Sequence, residues 1–243
     1  MHEDRLAAIL LRLASHETDG TGTMPLCELA AECTGTSGAS IALLSGDLPQ
    51  GSLCTTDGVS VYLDDLQFTL GEGPTLDAHR SGRPVLEPDL ARPVEARWPA
   101  LVPSAVRAGV RAAFAFPVRM GAVRLGALTI YRDTPGPLTD AQYGDGDALA
   151  VVATRTILAM QADAPPGAVA AELEEGANFH FVVHQAAGMV SVQLGLGVAE
   201  ALVRLRGHAF RTDRTIDDVS RDVVARQLRF DGPESDTPGE PTV

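Results

Sequence analysis

The chain contains no lysine and one asparagine, Asn178, so each of its 19 positive charges is an arginine. Its three cysteines, Cys27, Cys33 and Cys54, include no Cys-x-x-Cys pair, which supports neither a disulfide framework nor a zinc knuckle. No apolar run approaches the ~18–20 residues that a membrane span needs. The opening MHEDRLAAIL sets two acids beside one arginine, where a secretory signal would have a basic start. These absences make a soluble cytoplasmic protein the expectation. Positive charge is scarce as well: 19 arginines face 32 acids, a net of −13, and a field of that sign disfavours general affinity for nucleic acid or anionic membrane. Signatures of catalysis are missing too. There is no Gly-x-Ser-x-Gly elbow, no Ser/His/Asp set can be assembled from spacing, and Asp64-Asp65 reads as a solvated turn. The expectation is a protein that is not an enzyme.

What is present points to two folded parts. A length of 243 residues exceeds one average domain of ~100–200 residues, and a hydrophobic content of 45% supplies a sizeable core. Asp163-Ala164-Pro165-Pro166-Gly167 cannot continue a helix and marks a break. The reading is a first domain over 1–163, a linker over 164–177, a second domain over 178–230 and a disordered acidic tail over 231–243. Residues 1–177 carry 12 arginines and 23 acids, whereas 178–230 carry seven arginines and five acids, a local net of +2.

Periodicity assigns elements within each part. Residues 4–15 place Leu6, Ile9, Leu10 and Leu13 on one helical face, and a short helix fits 24–33. Residues 40–44 read as a buried strand turned by Gly46-Asp47. Alternation of Phe114, Phe116 and Val118, then of Leu125, Ala127, Thr129 and Tyr131 after Gly121-Ala122, predicts a β-hairpin. Thr139 with Gln142 is a capping box opening a helix that is apolar almost all round over 148–153 and continues through Ile157 and Met160. Such a helix needs two partners, and the second is expected to be the same helix of another chain, giving a homodimer aided by 4–15. In the second part Phe179, Val182, Val183, Ala186, Met189 and Val190 predict one helix, and Val198, Ala201, Leu202 and Leu205 another. Thr215 and Asp218 start a third, with Ile216, Val219, Val223 and Leu228 inward.

Several motifs have a bland and a sharp reading. Gly71-Glu72-Gly73-Pro74 lacks the Gly-Lys-Ser/Thr of a phosphate loop and reads as a turn into a helix with Pro74 near its first position. His180 and His184 have metal-ligand spacing without a third ligand, so core or interface histidines are the better reading and no metal site is assigned. Cys27 and Cys33 read as buried thiols, with a redox pair as the alternative, although no neighbouring residue in sequence would lower either thiol pKa. Arg204, Arg206, Arg211, Arg214, Arg221, Arg226 and Arg229 form the densest positive cluster, interleaved with Asp213, Asp217, Asp218 and Asp222. They form either a solvated face or a phosphate-binding one.

Leu70-Gly-Glu-Gly-Pro74, Leu76-Asp77-Ala78, Ser81-Gly82-Arg83-Pro84-Val85, Pro88-Asp89-Leu90, Arg97-Trp98-Pro99, Ala108-Gly109-Val110-Arg111, Phe116-Pro117-Val118-Arg119 and Leu125-Gly126-Ala127-Leu128 with Tyr131 resemble, in order and spacing, a GAF domain of the actinobacterial signalling type. Thr75 stands where that subfamily commonly has cysteine. Residues Gln185 to Val190, Gly195, Glu200-Ala201, Leu205-Arg206, Ala209, Asp213-Arg214, Ile216 and Asp218-Val219 resemble an ANTAR domain, with Ala187 in place of the family's lysine and Leu202 in place of a common aromatic residue.

The resemblance implies an α+β GAF domain, an antiparallel sheet with flanking helices, followed by an all-α three-helix ANTAR domain. It implies a dimeric signal-responsive regulator whose ANTAR part binds RNA hairpins and opposes transcription termination. Gln185, Arg206, Arg211 and Arg214 are the candidate RNA contacts. The alternative is a dimeric sensor whose ANTAR part contacts a protein partner. Phe114 and Phe116 either line a GAF ligand pocket or fill the core. The ligand or signal itself is not legible, and no cofactor is assigned; His79 is a weak candidate for haem.

Overall fold

The computed structural model describes residues 2–16, 24–45, 48–93, 97–162, 178–212 and 214–230. The expected linker, the acidic tail and the Gly46-Asp47 turn lie outside them. Contacts divide the chain into two units, Met1–Phe179 and His180–Val243.

The first unit is built on one antiparallel sheet with flanking helices, an α+β fold. Its strands are β1 (Gly38–Ser45), β2 (Leu48–Thr55), β3 (Val85–Glu87), β4 (Ala112–Met120), β5 (Val123–Arg132) and β6 (Asn178–Phe179), ordered β3-β4-β5-β1-β2-β6. The expected hairpin is β4–β5, with Phe114 opposite Ile130 and Phe116 opposite Leu128. Period-two alternation sends successive side chains to opposite faces. Ala39, Ile41, Phe114, Phe116, Val118, Leu128 and Ile130 share a core with α1 (His2–His16), α2 (Met24–Thr34) and α6 (Asp140–Ala162). The intervening Ala113, Ala115, Ala127 and Tyr131 pack with α3 (Gly58–Leu70), α4 (Pro74–Ser81) and α5 (Leu101–Arg107). Burial at this scale, at ~25 cal/mol per Å² of apolar area, is what holds the sheet between two helical layers.

The capping box forms as its residues require. Thr139 N–H donates to Gln142 Oε1 at 3.0 Å, and Gln142 N–H donates to Thr139 Oγ1 at 3.3 Å. Helix α6 then lies close on the sheet because Gly146 has no side chain: a Cβ there would meet the Phe116 ring at 2.5 Å. Part of the α6 surface expected to meet a second chain is covered within its own chain. Ile157 is already 5% exposed within its own chain, and Met160 packs against the same core. Helices α1 and α2 supply that cover, and Arg5 Nε pairs with Asp145 at 2.8 Å. On α1, Ile9 and Leu13 are buried as expected, but Leu10 faces solvent.

The cysteines differ from expectation. Cys27 on α2 and Cys54 on β2 form a disulfide with Cα atoms 6.0 Å apart, because α2 packs across β1 and β2. Cys27 therefore has no redox partner in Cys33. Cys33 instead accepts a hydrogen bond from Arg12 Nη1 of α1 at 3.0 Å. Burial nevertheless outweighs that guanidinium and pushes the thiol pKa up.

The second unit contains α7 (Phe181–Leu194), α8 (Val198–Thr212) and α9 (Ile216–Val224). Gly195, in the left-handed region at φ 64°, ends α7, and Thr215 Oγ1 caps α9 by accepting from Asp218 N–H at 3.1 Å. Val183, Ala186 and Val190 of α7, Ala201, Leu202, Leu205 and Ala209 of α8, and Ile216, Val219 and Val223 of α9 form its buried face. Phe179, expected to begin this helical part, pairs instead with Gly51 as part of β6. Leu228 follows α9 and is only half-buried. Among the described residues no single helix is long and apolar enough to cross a membrane.

Candidate functional site

A buried polar cluster lies between the sheet and α3 and α4 of the first unit. Helix α3 starts where Asp57 Oδ1 accepts from the amides of Val59 and Ser60, both at 2.8 Å, and stops at Gly71 with φ 71°. Burial would raise the Asp57 pKa, but hydrogen bonds from Ser60, Tyr131, Thr56 and Val59 outweigh it and hold the carboxyl below its usual range. Burial, then the charge of Asp57, pushes the Tyr131 phenol up.

Two turns along α3, Asp64 is 7% exposed. Its Oδ1 accepts from Ser40 Oγ of β1 at 2.9 Å, and its Oδ2 accepts from Ser52 Oγ of β2 at 2.6 Å. The reading of Asp64-Asp65 as a solvated turn is thus corrected for Asp64: its partners come from strands 24 and 12 residues earlier. One turn further, Gln67 Oε1 accepts from Thr75 N–H of α4 at 2.9 Å, and Thr75 Oγ1 bonds Thr129 Oγ1 of β5 at 2.7 Å. Gln67 is 2% exposed and its Nε2 finds no hydrogen-bond partner among the described residues. An orphaned buried donor costs about 1–3 kcal/mol, so this amide is a group poised to donate to something further. A carboxylate, hydroxyls and an unused amide can fix and orient a small polar molecule.

The glycine-rich motif fastens the surrounding helices. Pro74 occupies the start of α4, as expected of a turn into a helix. Glu72 Oε1 accepts from the amides of Ala100 and Leu101, each at 2.8 Å, at the start of α5. Trp98 Nε1–H donates to Asp77 Oδ2 at 2.9 Å, and the Arg97 guanidinium sits 4.8 Å from the Trp98 ring centroid. These contacts hold Trp98 at φ 56°, a conformation costly for a bulky residue. His79 is buried on α4. Phe114 and Phe116, 1% and 0% exposed, lie under α6 on the opposite sheet face from this cluster. Such burial suits rings that fill the core, the second of the two readings of Phe114 and Phe116.

The second unit carries the candidate RNA contacts. Gln185 is exposed on α7, Arg206 is half-buried on α8, and Arg211 is exposed in the last turn of α8. Arg214 pairs with Asp222 at 2.8 Å, and Arg221 pairs with Asp218 at 2.9 Å. Arg211 and Arg214 share one neighbourhood with His208: Arg211 Nη2 donates to His208 Nδ1 at 3.2 Å. Burial, then the charges of Arg211 and Arg214, lower the His208 pKa from 6.5. Ala187, which stands where the resembled family has lysine, is 1% exposed and faces the helical core, as does Leu202. His180 stands at the N-cap position of α7, its carbonyl accepting from His184 N–H at 3.3 Å, and its Nδ1 contacts Asp217 Oδ2 at 2.8 Å.

No protein-family model matches the chain, and no curated protein matches it. Solved structures similar to it include the GAF domain from an Acinetobacter phosphoenolpyruvate-protein phosphotransferase, at 15% identity and a TM-score of 0.47 over 67% of this chain and 96% of that one. A second is the GAF domain from a Coxiella burnetii phosphoenolpyruvate-protein phosphotransferase, at 14% identity and 0.48 over 65% and 95%. A third is a type II free methionine-R-sulfoxide reductase from Thermoplasma acidophilum, at 16% identity and 0.42 over 55% and 87%.

Proposed function

We propose that the chain is a cytoplasmic, signal-responsive regulator in which a GAF-type α+β domain senses an input and an ANTAR-type three-helix unit binds RNA hairpins to oppose transcription termination. It is not an enzyme in this reading, and it works as a homodimer. The observation that carries the RNA half is the clustering of Arg211, Arg214 and His208 around the end of α8, where Arg211 Nη2 donates to His208 Nδ1 at 3.2 Å. Loop bases are unstacked and open to side chains, so a small helical unit can read them without entering a groove. The Asp64–Gln67 cluster supports the sensory half, because the buried Gln67 Nε2 is left for a further acceptor. Its partner is an unidentified small molecule or other signalling input.

A second reading, in which the helical unit contacts a protein partner, is favoured by the neutralisation of Arg214 and Arg221 by Asp222 and Asp218. Binding of a hairpin RNA pool with randomised loops, titrated at several salt concentrations, separates the two. The RNA reading expects log affinity to fall linearly with log salt. Absence of binding at low salt by the folded protein supports the protein-partner reading.

A further inference from the structure

Helix α8 is apolar on two sides. Its inner side, Ala201, Leu202, Leu205 and Ala209, is buried in the three-helix unit. On its outer side Val203 and Phe210 are 62% and 64% exposed. They stand seven residues apart, two turns along one face. Between them Gly207 is exposed, and a Cβ there would meet nothing within 4 Å, so no side chain crowds this part of the face. Arg206 stands one turn before Phe210, about 6 Å along the axis, and the exposed Arg211 follows it directly.

We propose that the outer face of α8 is a stacking platform, in which an unpaired RNA base lies on the exposed Phe210 ring while Arg211 takes the adjoining phosphate. The inference rests on the RNA-binding reading and assigns the residue that receives the base. Exposed aromatic rings accept any base by its π-face, and neighbouring arginines supply the phosphate contact. A docking helix from a protein would want an apolar residue at the centre of this stripe, where α8 has Arg206 and Gly207. The charge of the face suits an anionic occupant.

The test uses the full chain, the hairpin RNA pool with randomised loops, and the same stems with abasic loops. Phe210→Ala should weaken hairpin binding roughly 5- to 150-fold, the range of one base–aromatic stack, with the salt slope unchanged because no charge is removed. Phe210→Trp should retain affinity, Phe181→Ala at another exposed phenylalanine should leave it unchanged, and abasic loops should erase the difference between wild type and Phe210→Ala. Amide exchange of α7, α8 and α9 identical to wild type shows that the fold is kept. Hairpin binding by wild type that Phe210→Ala leaves intact overturns this inference alone. Failure of wild type to bind any hairpin overturns the RNA-binding reading and this inference together. Dissociation of a protein complex by Phe210→Ala in that case assigns the face to a protein.

Discussion

Ala187→Lys, which restores the residue of the resembled family, should damage the helical unit and leave RNA affinity no higher. Ala187 is 1% exposed, with Ala186 and Val190 also buried on the inner side of α7. Three extra methylenes at a packed position cost about 1–3 kcal/mol through overpacking. An ammonium group that cannot reach water adds several kcal/mol more, or loses its proton. A unit of this size is worth about 3–8 kcal/mol in total, from ~0.05–0.15 kcal/mol per residue. The perturbation is therefore comparable to the whole stability. Hydrogen exchange of the α7, α8 and α9 peptides in the full chain should show lost protection, while the sheet of the first unit stays protected. A buried lysine has a depressed folded pKa, so the unfolded state binds more protons, and protection should recover as pH rises toward 10. Wild-type protection together with a salt slope steeper by ~0.7 would refute this reasoning, because the side chain would then be reaching phosphate.

Further outcomes follow from the first unit and from His208. Asp64→Ala strands the Ser40 and Ser52 hydroxyls in a buried site and should lower stability by about 1–3 kcal/mol for each, with Asp64→Asn milder, as read by thermal unfolding. Opening the Cys27–Cys54 bond, which spans 27 residues of chain, should cost about 3–4 kcal/mol by loop entropy; an unchanged melting temperature in dithiothreitol with both thiols titratable would contradict it. His208 has a folded pKa below 6.5, so the unfolded state takes up its proton first. The stability of the helical unit should accordingly fall as pH drops below about 6.5, and His208→Gln should remove that loss. Added hairpin RNA should raise the His208 pKa by NMR titration, because phosphate offsets the arginine charges.

Elements whose signals lie within a few residues are legible in the sequence. Thr139 and Gln142, Thr215 and Asp218, and the alternating hairpin around Gly121 each satisfy local backbone geometry, and each forms as expected. The glycine-rich turn is likewise local. What the pattern misses depends on distant partners. Asp64 looks solvated beside Asp65 until β1 and β2 bring Ser40 and Ser52 to it. The arginine beside Cys33 comes from α1, 21 residues earlier, and the partner of Cys27 is a strand away. The apolar circumference of α6 signals two partners, and only the fold shows that α1 and α2 cover much of it. Alternation places Phe114 and Phe116 on one face without saying which layer covers that face. A signal for Phe210 was available: Leu205 and Ala209 define the inner stripe of α8, and a phenylalanine one residue past that stripe points outward.

Ultraviolet crosslinking of the full chain to RNA in its native cells, followed by sequencing of the bound fragments, tests the central claim most directly. Under the proposed function the protein should retain hairpins that overlap or precede transcription terminators, and Phe210→Ala should deplete them. Recovery of no RNA above an uncrosslinked control, from cells in which the folded protein is abundant, would contradict it.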